Sequence, residues 1–206
     1  MKNNQSGRSM VEMLGVLAII GVLSAGGLAG YSKAMFKHKL NNTMDQITML
    51  VTNIRTMDGT QGNYEGLNDL KAYQLGIVPA VMVDHSDAVE DDKTTTDVNE
   101  SSPESVSLSN PFKGDVHINA VDLTGANDYT VTNGGFTVQY TGLPKEACIS
   151  LATADFGSGA GSGFIGTTIS GKQPSGTYGS GEGSAYSMSS AITNCSEDVT
   201  ITWTFY

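Results

Sequence analysis

The stretch SGRSMVEMLGVLAIIGVLSAGGLAGYSKAM, residues 6–35, decides the fold expected for this chain. From residue 10 to residue 30 every side chain is apolar or small except those of Glu12 and Ser24. As an α-helix this run of 21 residues would be about 31 Å long, which matches the roughly 30 Å hydrocarbon core of a bilayer. The sequence therefore predicts a membrane-spanning helix over residues 10–30.

A helical pattern continues beyond this apolar run. Apolar residues recur at steps of three and four from Met35 to Met57, and Asp58-Gly59 then predicts the end of the helix. A cleaved secretory signal has a shorter apolar region, about 7–15 residues, and no such continuation. We therefore expect one helix of about fifty residues, whose second half is amphipathic and packs on a globular domain.

The pattern changes to a period of two near residue 110. The segments DVHINAV, GGFTVQYTG and DVTITWTFY alternate apolar and polar side chains, which is typical of strands with one buried face. The predicted buried residues are Val116, Ile118, Ala120, Phe136, Val138, Tyr140, Val199, Ile201, Trp203 and Phe205. The predicted fold class is α+β, in which the long N-terminal helix packs on an antiparallel sheet and residues 36–57 are buried against it. Pro144 suits the first turn of a further short helix that carries Cys148.

A connecting region separates the long helix from the sheet. Within it EGLNDLKAYQLG predicts a short helix with Leu67 and Leu70 on one face, together with residue 73 or 74. The acidic stretch 84–104 contains eight carboxylates and one lysine, but it lacks the D-x-[DN]-x-[DN]-G pattern of a calcium-binding loop. We interpret it as a solvated acidic loop.

The charge balance and the motifs exclude several classes of function. The net charge is −10, whereas nucleic-acid binding requires a basic face. Gly161, Gly163 and Gly166 match the dinucleotide fingerprint by letters alone, because no strand precedes them and no helix follows. The three histidines lack metal-ligand spacing. We therefore expect no enzyme activity, no cofactor, no metal and no nucleic-acid partner.

The two cysteines, Cys148 and Cys195, allow either one disulfide or two separate thiols. The compartment decides between these alternatives. The Gly-rich loop 157–183 lies between them, and such a composition cannot build a core by itself. We expect this loop to be a poorly ordered excursion on the surface.

The segment GRSMVEMLGVLAIIGVLSA, residues 7–25, resembles the type III signal of type IV pilins and related pseudopilins. The resemblance implies a leader of residues 1–7, which a prepilin peptidase removes after Gly7. It also implies a methylated N-terminus at Arg8 and makes Glu12 the fifth residue of the mature chain. Two features depart from the family pattern: the first mature residue is usually apolar, and glycines stand where a proline often kinks the helix.

Glu12 needs a partner, because an isolated carboxylate in a membrane costs up to about 2.5–3.5 kcal/mol. Within one subunit Glu12 could reach Arg8 across one helical turn. In a helical stack it could instead meet the free α-amine of a neighbouring copy. The resemblance implies this second role, in assembly.

Two further segments are similar to the type IVb class of pilins. They are NPFKG, residues 110–114, and GLPKEACISLA, residues 142–152, and a late cysteine, Cys195, accompanies them. The resemblance implies an exported head, and in an oxidising compartment Cys148 and Cys195 would be joined. The expected parts are a leader at 1–7, the long helix at 8–58, the connecting region at 59–109, and a head at 110–206 with a disulfide-bounded region at 148–195.

The resemblance implies a structural subunit, the major pilin of a type IVb-like pilus that serves adhesion, aggregation or conjugation. Its implied partners are other copies of itself, the prepilin peptidase, the pilus assembly machinery in the inner membrane, and membrane lipid before assembly. The precursor would lie in the inner membrane with a periplasmic C-terminal domain, and the assembled form would be an extracellular filament. The alternatives are a pseudopilin of a type II secretion system and a monomeric, membrane-anchored surface-binding protein.

Overall fold

The computed structural model describes residues 6–57, 63–84, 106–125, 128–157, 163–172, 174–176, 178 and 183–206. The chain divides into two compact units, residues 1–41 and residues 42–206. Helix α1, Ser6–Met57, begins in the first unit and ends in the second. The predicted helix of about fifty residues is therefore confirmed, since α1 has 52 residues.

The second unit, which we call the head, combines the end of α1 with a sheet and short helices. Its further elements are α2 (Asp69–Gln74), a 3₁₀ helix (Ala80–Met82), β1 (Val116–Thr124), β2 (Thr130–Leu143), α3 (Lys145–Ala152), β3 (Phe164–Ile169), α4 (Met188–Asn194) and β4 (Val199–Phe205).

The four strands form one antiparallel sheet in the order β1-β2-β4-β3. Val138 on β2 lies opposite Ile118 on one side and Trp203 on the other, and Trp203 lies opposite Thr167. These four residues are completely buried. Because side chains alternate between the faces of a strand, this row defines the inner face of the sheet. The three predicted strands are confirmed, although Ala120 is only partly buried.

Aromatic side chains fill the inner face of the sheet. Phe136 and Phe205 stack with ring centroids 5.4 Å apart, and Tyr140 meets Trp203 edge-on at 5.6 Å. All four side chains are at most 1% exposed. Such pairs contribute about 0.5–1.5 kcal/mol beyond the burial of their area, so they make this face the centre of the core.

The end of α1 packs on this sheet, as predicted. Ile47, Leu50 and Ile54 recur at steps of three and four and are completely buried. Beside them the guanidinium of Arg55 lies 5.5 Å from the centroid of the Phe205 ring. The predicted burial of residues 36–57 is only partly correct, because Phe36, Leu40 and Met44 are only partly buried. Thr43, which lay off the predicted face, is completely buried. Thr43, four residues before Ile47, continues the same helical row.

The Gly-rich region contains a strand, so the prediction of a poorly ordered excursion is wrong for part of it. Phe164 and Ile169 of β3 are buried, and β3 pairs with β4 along the sheet. The edge of β3 is covered in turn, since the Ser175 amide donates to Thr167 O at 2.8 Å. The composition of the region could not build a core, but one apolar strand within it completes a core that other elements provide.

The predicted helix in the connecting region exists as α2, but its buried face differs from the prediction. Ala72 is completely buried, whereas Tyr73 is 47% exposed and Gln74 is also exposed. Leu67 is buried but precedes the helix. The small Ala72 side chain allows α2 to lie close to β1, which the larger side chains would prevent.

Polar contacts from the α2 region cover the outer edge of β1. The Ala120 amide donates to Leu67 O at 3.0 Å, and the Ile118 amide donates to a carboxylate oxygen of Asp69. The second oxygen of Asp69 lies 3.0 Å from His117 Nδ1. An uncovered strand edge would template pairing with another chain. These contacts remove that hazard from β1.

The two remaining helices flank the disulfide-bounded region. Pro144 occupies the N-cap of α3, one position before the first turn for which it was predicted. Helix α4 was not predicted. Ser187 caps it by accepting a hydrogen bond from the Ser190 amide at 3.2 Å. The sequence did not predict this helix because two serines three residues apart are too common to indicate where a helix begins.

Leu50→Ala should lower the free energy of unfolding of the head by about 2–5 kcal/mol, because it leaves a cavity under the sheet. Met49→Ala is the matched control on the same helix, since Met49 is 52% exposed, and it should change stability by no more than about 0.5 kcal/mol. Denaturant unfolding of the detergent-solubilised full chain, followed by Trp203 fluorescence, measures both. Equal effects of the two variants would contradict the packing of α1 described above.

Candidate functional site

The first part of α1 presents a long apolar surface. Its large apolar side chains are all more than half exposed: Met10, Val11, Met13, Leu14, Val16, Leu17, Ile19, Ile20, Val22, Leu23 and Leu28. In the part of the chain that the structure describes, α1 is the helix that is long and apolar enough to cross a membrane. An exposed apolar surface of this extent marks contact with lipid or protein.

Five glycines interrupt this surface: Gly15, Gly21, Gly26, Gly27 and Gly30. A Cβ atom added at any of them would meet nothing within 4 Å. Each glycine costs about 1 kcal/mol relative to alanine in a helix interior, so packing between described residues of the chain does not require them. Small residues do allow close approach between helices of different chains in an apolar environment.

The residues predicted for processing and assembly lie at the beginning of α1. Gly7 and Arg8 have helical backbone, and Glu12 follows within the next turn. Glu12 is exposed, between Val11 at 71% and Met13 at 62% exposure. The Arg8 side chain lies outside the described residues, so a pair between Arg8 and Glu12 within one subunit stays a prediction.

A disulfide joins Cys148 to Cys195, which confirms the predicted pairing. Cys148 lies on α3 and is completely buried, and Cys195 at the end of α4 is 5% exposed. The bridge links α3 to the end of α4, and the Cα atoms of Cys148 and Cys195 are 5.8 Å apart. It closes a loop with a sequence separation of 47 residues that contains β3 and α4.

The NPFKG segment is structural. Asn110 is 5% exposed and its amide nitrogen donates to Thr141 O at 2.9 Å, while its amide oxygen accepts from the Phe112 amide at 2.8 Å. A Cβ at Gly114 would collide with the Thr141 carbonyl. Asn110 and Gly114 therefore fix the turn that leads into β1, and they are not free to bind a ligand.

The remaining sequence-based candidates divide between the described and undescribed parts. Among the described residues, no group of three or more His, Cys, Asp or Glu side chains could hold a metal ion. Gly166, the last glycine of the fingerprint-like motif, lies inside β3, which agrees with an accidental match. Most of the acidic stretch 84–104, the Gly161 position and much of loop 157–183 lie outside the described residues.

Comparison with known proteins identifies the class. Residues 37–206 match the family described as PilS N terminal. The major structural subunit of bundle-forming pilus from Escherichia coli serogroup O127 is 27% identical over 192 residues, which cover 93% of this chain and 85% of that protein. The corresponding subunit from serogroup O111 is 27% identical over 159 residues, 77% of this chain and 69% of that protein.

Two solved structures are also similar. The type IV b pilin from Salmonella typhi aligns with a TM-score of 0.48 at 19% identity, over 81% of this chain and 97% of that one. TcpA, a type IV pilin from Vibrio cholerae El Tor biotype, aligns with a TM-score of 0.48 at 14% identity, over 82% of this chain and 99% of that one.

The resemblance to type IV pilins of the b class is thus confirmed, on the extent of the family match and the relatives. The chain belongs to the PilS N-terminal family.

Replacing both cysteines, Cys148→Ser with Cys195→Ser, should destabilise the head by about 4 kcal/mol, because the bridge limits the entropy of the unfolded chain. Thermal unfolding of the full chain with and without a reducing agent measures this. The reducing agent should lower the midpoint for the natural chain and leave the double variant unchanged. A shift of the double variant would show that the reducing agent acts elsewhere than on the disulfide.

Proposed function

We propose that this chain is the major structural subunit of a type IVb-like pilus and that it polymerises through the first part of α1. The observation that carries the proposal is the apolar surface of residues 10–28, which the subunit itself leaves exposed. The names of the relatives, each a major structural subunit of bundle-forming pilus, support the same function.

The apolar surface must be shielded from water both in the precursor and in the filament. Lipid covers it in the precursor, which lies in the inner membrane with its C-terminal head in the periplasm. Neighbouring copies of α1 cover it in the extracellular filament. Moving apolar surface out of water stabilises by about 25 cal/mol per Å². In the bilayer this surface is already out of water, so its transfer from lipid to a neighbouring helix contributes little further hydrophobic free energy. Close packing at the exposed glycines and specific charge pairs must then favour the filament.

Processing prepares the helix for assembly. The prepilin peptidase removes residues 1–7 after Gly7, and Arg8 becomes the methylated N-terminus of helix 8–58. The assembly machinery in the inner membrane then adds the subunit to the filament. The connecting region 59–109 and the sheet-bearing region 110–206 stay outside the filament core.

Glu12 aligns each new subunit. Its exposed carboxylate lies within an apolar surface, where an unpaired charge is costly. The α-amine of a neighbouring mature chain neutralises it, and that amine exists only after the leader is removed. The role is structural, not catalytic: the pair selects processed subunits in the correct register.

Removal of the leader can be tested directly. The subunit purified from filaments should begin at Arg8, and intact mass and N-terminal sequencing measure this. Gly7→Val should block the cut, because the peptidase is expected to require a small residue before the bond. A mature chain that retains Met1, or one that begins beyond Gly30, would contradict the proposed leader.

Glu12→Ala should stop or strongly slow filament growth while the head folds normally. Losing one member of a buried charge pair costs about 3–5 kcal/mol, and this loss recurs at every added subunit. Electron microscopy of cells, leader cleavage and protease resistance of the head are measured separately.

Ser24→Ala is the matched control, since it removes the other polar side chain of the apolar run without removing a charge. It should leave filaments intact. Normal filaments in Glu12→Ala would refute the assembly role, and a degraded head would show that Glu12 supports the subunit itself. Cells that express the natural chain and form no filaments would favour the membrane-anchored monomer.

A further inference from the structure

Two lysines follow the apolar run of α1. Lys33 and Lys37 are exposed, and they lie on one face of the helix because they are four residues apart. Among the described residues, neither ammonium group forms a hydrogen bond or an ion pair. Like charges at this spacing destabilise a helix, so the pair of lysines is unfavourable for an isolated subunit.

The helix supplies no counter-ion for these lysines. Apart from the lysines themselves, uncharged residues occupy the positions three and four residues before and after them: Ala29, Gly30, Ala34, Phe36, Leu40 and Asn41. The nearest carboxylates along the chain are those of Glu12 and Asp45. At about 1.5 Å per residue, Asp45 lies roughly 12 Å along the helix from Lys37. A partner for the two ammonium groups would therefore have to come from another molecule.

The distance along the helix places both ammonium groups at the membrane surface. The apolar run ends at Gly30, and α1 continues without interruption beyond it. At about 1.5 Å per residue, the Cα atoms of Lys33 and Lys37 lie roughly 4.5 Å and 10.5 Å past this end. The headgroup layer on each side of a bilayer is about 5–7 Å thick, and side chains on a helix point back toward its N-terminus. The long lysine side chains therefore reach the level of the lipid phosphates.

Tyr31 indicates the same position for the membrane surface. It directly follows the apolar run, and its side chain is 64% exposed. Tyrosine is enriched at membrane–water interfaces, because its ring is apolar and its hydroxyl group is polar. The residue therefore agrees with a membrane surface that lies between Gly30 and Lys33.

The orientation of the helix does not account for the lysines. Basic residues that flank a membrane-spanning helix are usually more frequent on the cytoplasmic side. In the proposed precursor that side holds Lys2 and Arg8, whereas Lys33 and Lys37 lie on the side of the periplasmic head. Basic residues on the periplasmic side weaken the orientation signal, so we expect these two lysines to have another role.

We propose that Lys33 and Lys37 bind the phosphate group of an anionic phospholipid, in the leaflet from which the head emerges. This inference rests on the proposed function, because it requires α1 to span the bilayer in the precursor. An anionic phospholipid such as phosphatidylglycerol keeps the negative charge of its phosphate, whereas phosphatidylcholine carries a cationic group that neutralises it. Basic residues next to a membrane helix favour anionic lipids, so two lysines on one face select the anionic headgroup.

The acidic head of a second copy is the alternative partner. Of the 21 Asp and Glu residues, all except Glu12 lie after residue 41. A filament could therefore bring carboxylates to the two lysines. The lipid is favoured because its phosphates lie within reach of both lysines in every precursor, before any second copy binds.

The test uses the full chain in detergent, to which phosphatidylglycerol and phosphatidylcholine with the same acyl chains are added in equal amounts. Native mass spectrometry measures how much of each lipid stays bound. Phosphatidylglycerol should bind about tenfold more tightly, a difference of about 1.4 kcal/mol. Lys33→Gln combined with Lys37→Gln should remove this preference, whereas Lys33→Arg combined with Lys37→Arg should keep it, because arginine retains the charge.

Lys145→Gln combined with Lys172→Gln is the matched control, because it removes the same charge from exposed lysines of the head. It should leave the preference unchanged, and an equal loss would overturn the proposal as an effect of overall charge. Excess inorganic phosphate that displaces the lipid would overturn the lipid as the partner. An unchanged lipid preference in the variant of Lys33 and Lys37, together with lost filaments, would overturn the proposal in favour of a second copy.

Membrane insertion is measured separately, by flotation of the full chain and each variant with vesicles of phosphatidylcholine alone. All of them should insert, because the apolar run is unchanged. A chain that inserts but shows no preference for the anionic lipid would overturn this proposal and leave the proposed pilus function intact. A natural chain that does not insert would contradict both.

Discussion

The head depends on the contact between one face of α1 and the aromatic face of the sheet. A sheet with one apolar face must be covered by another layer, and the end of α1 provides it, with Ile47, Leu50 and Ile54 completely buried and Arg55 beside the Phe205 ring. Truncating any of these residues would expose or loosen large aromatic side chains at once. Because the same helix also carries the exposed apolar run, the element that completes the core of the head is the element proposed to build the filament.

The disulfide matters because of what it encloses. The strand β3 completes the sheet, yet it lies in a Gly-rich loop with little apolar surface of its own. Closing that loop between Cys148 and Cys195 lowers the entropy of the unfolded chain. Two hydrogen bonds between Ser175 and Thr167, one donated by the Ser175 amide and one accepted by its hydroxyl, then hold the edge of β3.

The two parts of α1 differ in where their apolar side chains lie. In the head, the helix buries its apolar side chains inside the chain that carries them. In residues 10–28 the apolar side chains are left exposed, and the four glycines among these residues lower helix stability without contacting any other described part of the chain. Such a surface is unfavourable in water for a single subunit. It becomes favourable only in lipid or against further copies, and the proposed role of Glu12 is to make the choice of neighbour depend on charge.

The sequence by itself determined the features that depend on local pattern: the length of α1, three of the strands, their buried alternation, and the motif around Gly7 and Glu12. Periodicity and spacing are local properties, so they can be read without knowing what packs against them. Tertiary structure alone decided the burial of Thr43 and Ala72, the contact of Asp69 with the edge of β1, and the pairing of β3 with β4. Each of these depends on a partner distant in sequence, and a short or glycine-flanked segment carries no local signal of the surface that will stabilise it.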